Sequence, residues 1–395
     1  MKNAKYAIII LVAAVFGIGG GIVGQIISRV YLLEDAFDVP LLGEIDIRNN
    51  LNNPNLVISN PKKVVVEQDN KITESVSSAQ KSVAAIFERA GTTTNEKEFS
   101  ITDDKTKKTI VHYQRKKEIG QSFVVTSDGW LLSLYTPKEL MEEEVASTTY
   151  QNVIKKYVVI FENNSVYDVD EIVVDKKSDY SFWKINDNDL PIKTFVDEKD
   201  INNGQLIMAI NWDGDVWLSY VQNKKAKYPE MIKSSEKYGK NIIFSEFPNA
   251  QFKNSFLFNL SGDLVGIINE KLEAEPIGNY VSNMDYVLKN KAFKRASLGV
   301  NYINLSDIIS DNEKYKKGAY LVKDEKGTSG PKGSAAEKFG LKGGDIITRV
   351  DDVEIGPENE LCDLISKFNA GEVVTIEYIR GDKKENVEVI LNELK

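Results

Sequence analysis

Between residues 62 and 290 the chain breaks again and again into short apolar runs separated by turn signals, and this constrains its fold more than any other feature. The runs are TIVHYQRKK, QSFVVTS, WLLSLY, KKYVVIF, YDVDEIVVD, YSFWKIN, QLIMAIN, NIIFSEF, FLFNL and DLVGIIN. Turns such as Ser127-Asp128-Gly129, Asp213-Gly214 and Ser261-Gly262-Asp263 punctuate them. Many short strands bounded by turn residues predict an all-β barrel or sandwich. A parallel α/β fold is disfavoured, because helical patterns do not alternate with the strands. One helical pattern is expected ahead of them, in KITESVSSAQKSVAAIFER over 71–89.

The sequence divides further on either side. Residues 6–28 carry no charge, and at about 1.5 Å per residue a helix of that length crosses a hydrocarbon core about 30 Å thick. A cleaved signal peptide would have a shorter apolar core followed by a small-residue cleavage site. An uncleaved anchor is therefore expected over 1–30, with Lys2 and Lys5 on the cytoplasmic side and the main domains outside the cytoplasm. Gly17–Gly21 and Gly20–Gly24 form small-xxx-small pairs, read here as a glycine-tolerant anchor rather than a dimer seam. Residues 31–61, rich in Asn and Pro breaks, read as a linker. Past a boundary near Lys289–Ala296, residues 297–395 form a compact α+β unit with strands at SLGVNYI, VVTIEYIR and NVEVIL and a helix at ENELCDLISKF.

Composition excludes several functions. Lys+Arg 50 against Asp+Glu 59 gives a net charge of −9, with no basic stripe for nucleic acid. The single cysteine, Cys362, and the single histidine, His112, rule out Cys cages and His-pair metal sites, so no metal and no cofactor are expected. Any imidazole chemistry must use His112.

Three blocks, in order, resemble the HtrA (Do-like, DegP-like) family, and the resemblance spans roughly residues 62–395. Gly120-Gln121-Ser122-Phe123 through Asp128-Gly129-Trp130-Leu131-Leu132 looks like the family's first-barrel hairpin. Asp175 through Ile185 looks like the strand entry that carries the catalytic aspartate. Phe258-Asn259-Leu260-Ser261-Gly262-Asp263 through Asn269 is similar to the hairpin after the nucleophile. The resemblance implies a trypsin-like double β-barrel over 62–290 and a PDZ domain over 297–395. The family's chemistry joins a serine, an imidazole, an aspartate and oxyanion-binding backbone amides. Carried over residue by residue, the aspartate falls on Asp179, the histidine on Thr136 and the nucleophile on Lys253, or on Asn254 after a one-residue slip. The catalytic triad is thus degenerate, and the oxyanion glycines are replaced as well. His112 lies upstream of the Gly120 hairpin and is read as an ordinary strand residue.

In the PDZ-like unit, the resemblance puts Ser297-Leu298-Gly299-Val300 at the carboxylate-binding loop and Asn301-Tyr302 on the strand that pairs with a peptide. Leu361 and Ile365 are expected to wall its side-chain pocket. Gly327 through Ser334 reads as a PDZ loop rather than a phosphate loop, and Glu142-Glu143-Glu144 as a solvated face. The expected protein is a membrane-anchored, inactive HtrA-like pseudoprotease. Its PDZ domain would hold C-terminal or unfolded peptides of envelope proteins in protein quality control, and it would bind no nucleic acid. Two alternatives stay open. One is an active serine endopeptidase using rearranged residues, with Ser255 as nucleophile and Lys253 as base. The other is a structural partner in a homo-oligomer or in a mixed oligomer with an active paralogue.

Overall fold

A computed structural model describes residues 2–27, 37–39, 43–46, 57–58, 68–89, 101–102, 109–110, 112–142, 145–177, 180–226, 230–237, 239–282, 284–323 and 329–394. Asp179, Glu143, Glu144, Gly327 and Thr328 lie outside them. The chain forms two compact units, Met1–Asn70 and Lys71–Lys395.

The first unit holds a helix over Lys2–Ile27 and an antiparallel ribbon of Phe37–Val39, Gly43–Asp46 and Val57–Ile58. Short strands thus occur within the expected linker. Among the described residues no helix is long and apolar enough to cross a membrane, so the structure does not supply the span expected over residues 6–28. Glycines at 17, 19, 20, 21 and 24 thin the apolar surface of this helix, and an added Cβ at any of them meets nothing within 4 Å.

The second unit is mostly β. Its first closed barrel runs, in order around the wall, through Val166–Val174, Ser181–Ile185, Trp130–Ser133, Gly120–Val124, Val83–Glu88 and Tyr157–Phe161. The second runs through Leu206–Ile210, Val216–Ala226, Lys240–Phe244, Ala274–Pro276, Leu264–Ile268 and Phe256–Phe258. Period-two alternation explains both. On strand 83–88, Ala84 and Ile86 join the first barrel's interior, while Val83, Ala85 and Phe87 face a cluster shared by the two barrels. Strand 256–258 divides the same way, with Leu257 inside the second barrel and Phe256 and Phe258 in the shared cluster. Phe123 joins the barrels there, its ring centroid 5.4 Å from Phe256 and 5.8 Å from Phe258. Gly129 closes the Asp128-Gly129 turn at φ +103°, where a Cβ would stand 2.2 Å from the Ile185 carbonyl oxygen.

Two expected elements change. The helix expected over 71–89 covers Gln68–Gln80, and Val83–Glu88 is a barrel strand, because its Val, Ile and Phe are buried between neighbouring strands. His112 does not sit in a strand. Among the described residues of this run, only Thr109–Ile110 pairs, with Ile101–Thr102, and the basic run Arg115–Lys117 makes a 3-10 turn whose Arg115 guanidinium lies 5.0 Å over the Trp212 ring.

The C-terminal sheet has the order Asn301–Asn304, Ala319–Leu321, Ile346–Val350, Val373–Arg380, Lys383–Ile390, with Val353–Glu354 paired to 346–350. Helix Leu361–Ile365 packs on it. A seventh strand extends the open edge: Lys233–Ser234, from the second barrel's stretch of chain, pairs antiparallel with 301–304.

Candidate functional site

The residues onto which the sequence resemblance carries the histidine and the nucleophile lie in two pinned turns. After strand 130–133 the chain enters Leu134-Tyr135-Thr136-Pro137. Ser133 Oγ donates to the Gln121 carbonyl at 2.7 Å and accepts from the Tyr135 N–H at 3.0 Å. Ser181 Oγ donates to the Tyr135 carbonyl at 2.8 Å and accepts from Trp183 Nε1 at 2.8 Å. Tyr135 packs edge-on against Tyr157 at 5.9 Å. Thr136 is thereby held with its Oγ1 buried and unpartnered, and a hydroxyl there cannot take a proton near neutral pH.

On the opposite barrel, the 3-10 turn Ala250–Phe252 leads into Lys253, whose side chain is exposed. The amides that an oxyanion hole would use are engaged within the turn. Phe252 N–H donates to Asn249 O at 3.1 Å, Lys253 N–H to Ala250 O at 3.3 Å and Ser255 N–H to Phe252 O at 3.2 Å. Gln251 N–H donates to Asn249 Oδ1 at 3.0 Å. Asn254 adopts φ 59°, its Nδ2 donating to Glu270. Ser255 is fully buried, with an unpartnered Oγ, so its hydroxyl cannot meet a substrate. Four residues before Asp179 in the sequence, Asp175 is buried against Arg295 and accepts from the Lys177 N–H at 3.1 Å. His112 lies in coil beside Tyr113, whose ring packs 5.8 Å from Phe87.

The PDZ-like groove is built and occupied. Gly299 sits at φ +76°, and a Cβ there would lie 2.5 Å from Ser334 Cβ, so glycine is required for the turn. Leu298, Val300, Tyr302, Leu361 and Ile365 are all buried in the domain's core, while Asn301 is exposed. Against the strand edge lies the chain's own segment 233–236, in the register Lys233 opposite Tyr302 and Ser234 opposite Asn301. Ser235 N–H donates to Val300 O at 2.9 Å, and Val300 N–H donates to Ser235 Oγ at 3.0 Å. Gly299 N–H donates to Glu236 Oε1 at 2.7 Å, and Ser297 Oγ donates to the same oxygen at 3.0 Å. Ser234 Oγ and Ser235 Oγ complete the glutamate's shell at 2.7 Å each.

Upstream, Lys233 Nζ meets Glu360 Oε2 at 2.8 Å and Asp307 Oδ2 at 2.7 Å. Burial works against its ammonium, but these ion pairs prevail and its pKa stands above the ordinary lysine value. Glu360 precedes helix 361–365 and also accepts from Tyr302 Oη at 3.4 Å. Beside them, burial raises the Asp363 carboxyl to about 6 despite Lys240 at 3.9 Å, and burial pushes the Cys362 thiol up to about 12, leaving it unreactive at neutral pH. The sequence reading missed segment 233–236. Two serines between a lysine and a glutamate carry no strand pattern, so residue type alone does not mark it.

Residues 296–391 match the PDZ domain family model. The chain is similar to a probable periplasmic serine endoprotease, DegP-like, of Hahella chejuensis, 26% identical over 284 residues that cover 64% of this chain and 58% of the relative. A like-named protein of Halomonas elongata is 22% identical over 296 residues, 71% of this chain and 58% of the relative. The chain thus spans about 58% of the length of these curated relatives. Among solved structures, the HtrA-type protease AlgW with a decapeptide aligns at a TM-score of 0.50 and 16% identity, over 82% of this chain and 98% of that one. The chain thus carries a PDZ domain over 296–391 behind a double β-barrel of the fold seen in AlgW, and it is similar in sequence to DegP-like proteins.

Proposed function

We propose that this protein is a catalytically inactive HtrA-like scaffold whose PDZ domain holds the C-termini or extended segments of envelope proteins, as an adaptor or sensor in protein quality control. The observation that carries the reading is the turn Ala250–Ser255. Lys253, onto which the resemblance carries the nucleophile, is exposed, and the N–H groups of Gln251, Phe252, Lys253 and Ser255 are already bonded within the turn. An acyl-transfer site needs those donors free, aimed at an oxyanion, and a base at the place that Thr136 fills. The binding half is supported by the Gly299 loop and by the decapeptide carried by AlgW. The proposed domains are an anchor over 1–30, a linker over 31–61, the barrels over 62–290 and the PDZ domain over 297–395. Anchoring rests on the uncharged stretch 6–28, whose Val15, Phe16 and Ile18 are exposed, with the domains outside the cytoplasm.

Fluorophosphonate labelling of the full chain in detergent tests inactivity. No labelling is expected, and labelling that Ser255→Ala abolishes would overturn the reading. The binding half is tested with Gly299→Val, which blocks the turn. C-terminal peptides should bind the wild type at least tenfold more tightly than the variant, and equal binding removes the carboxylate-loop assignment.

A further inference from the structure

The PDZ edge is not bare, and the segment on it has the form of a ligand. In β-augmentation, a terminal carboxylate meets the amides of the glycine loop while the strand behind it pairs with the sheet edge. Here Glu236 Oε1 takes the Gly299 amide and Ser235 Oγ takes the Val300 amide, two donors that a terminal carboxylate would claim. Ser235 N–H pairs with Val300 O, so Ser235 stands where a final residue would stand. Lys233, two residues upstream, is 8% exposed and is gripped by Glu360 and Asp307. A buried lysine ringed by two carboxylates is a costly arrangement unless both partners are kept; the groove is therefore selective for a cation at this position.

We propose that residues 233–236 are a built-in ligand of the PDZ groove, and that the groove's external ligand is a protein C-terminus with a lysine or arginine two residues before its last residue. This rests on the reading of the PDZ domain as a peptide-binding module and adds its ligand class and its gate. An incoming C-terminus must displace Glu236 from the Gly299 amide and Lys233 from Glu360, so the domain answers only to ligands that match both ends of the resident segment. The affinity of such a ligand is reduced by the fraction of molecules in which the groove is self-occupied.

The test uses the full chain in detergent and a fluorescein-labelled peptide ending Lys-Ser-Ser with a free carboxylate, read by anisotropy. The controls are the same peptide with an amidated end and one with Glu in place of Lys. Glu236→Ala should bind the free-carboxylate peptide at least tenfold more tightly than the wild type, and the Glu-containing peptide at least tenfold more weakly than the Lys peptide. In the wild type, hydrogen exchange at the Ser235 amide should speed up when the peptide is saturating, a readout that does not depend on the variant's folding. Equal affinity in wild type and Glu236→Ala, with Ser235 protection unchanged by bound peptide, overturns the built-in ligand and leaves the PDZ reading standing. Equal binding of the Lys and Glu peptides overturns the ligand class. Failure of wild type and variant alike to bind any free-carboxylate peptide overturns both this proposal and the reading beneath it.

Discussion

At Asp345 a carboxylate only 3% exposed is clasped in two-pronged fashion by Arg380, with Nε to Oδ1 at 2.8 Å and an Nη to Oδ2 at 2.7 Å. The pair ties the Gly343-Gly344-Asp345 turn to the end of strand 373–380, which lies between 346–350 and 383–390. Removing the arginine leaves the buried charge with the Lys342 amide. Arg380→Ala is expected to lower stability by about 3 kcal/mol, measured by urea unfolding, whereas Arg380→Lys should recover part of the loss. Asp363 gives a second residue-scale test. Its folded pKa of about 6 lies above the ordinary carboxylate value, so the folded state holds a proton that the unfolded state releases. Its contribution to stability is therefore greatest below about pH 4 and falls as pH rises through 6. Asp363→Asn should flatten that part of the stability–pH profile, making the variant the more stable protein at pH 7 and the difference small at pH 4. Lys240 keeps Glu198 at 2.7 Å as a partner in the variant. A wild-type profile already flat between pH 4 and 6 would contradict this.

Among the elements, the barrel strands were legible because each is short, apolar on alternate positions and closed by a turn residue, as with Trp130–Ser133 after Gly129. Counting forward from Asp128-Gly129 leads to Thr136, in the turn after strand 130–133, and counting back from Asn259-Leu260 leads to Lys253, in the turn before strand 256–258. Strand 83–88 was read as helix because Val-Ala-Ala-Ile-Phe carries apolar residues at helical as well as alternate spacing, and only burial against strands 120–124 and 157–161 decides. Lys233–Ser234 was invisible for a different reason. Two polar residues have no strand propensity of their own, and they are extended only because the 301–304 edge offers them partners. The engagement of the Gln251, Phe252, Lys253 and Ser255 amides was equally out of reach, since backbone hydrogen bonding in a turn leaves no pattern in residue types.

For the whole of the second unit, the central joint is the shared cluster between the barrels, and Phe123 sits in it with no exposed surface, facing two phenylalanines of the opposite barrel. Phe123→Ala is expected to cost about 3–5 kcal/mol and to loosen both barrels together, seen as one cooperative loss in thermal unfolding. Separate transitions for the two barrels in the wild type would contradict a common core. On the function proposed above, the two barrels serve as a scaffold and the PDZ domain holds the ligand, with no peptide bond cut. The most direct measurement is to incubate the full chain in detergent with an unstructured polypeptide ending in Lys-Ser-Ser with a free carboxylate, recover the complex, and weigh the bound chain by mass spectrometry. The account predicts a polypeptide that is bound and intact after prolonged incubation. Fragments that appear with the wild type and vanish with Lys253→Ala or Ser255→Ala would contradict it.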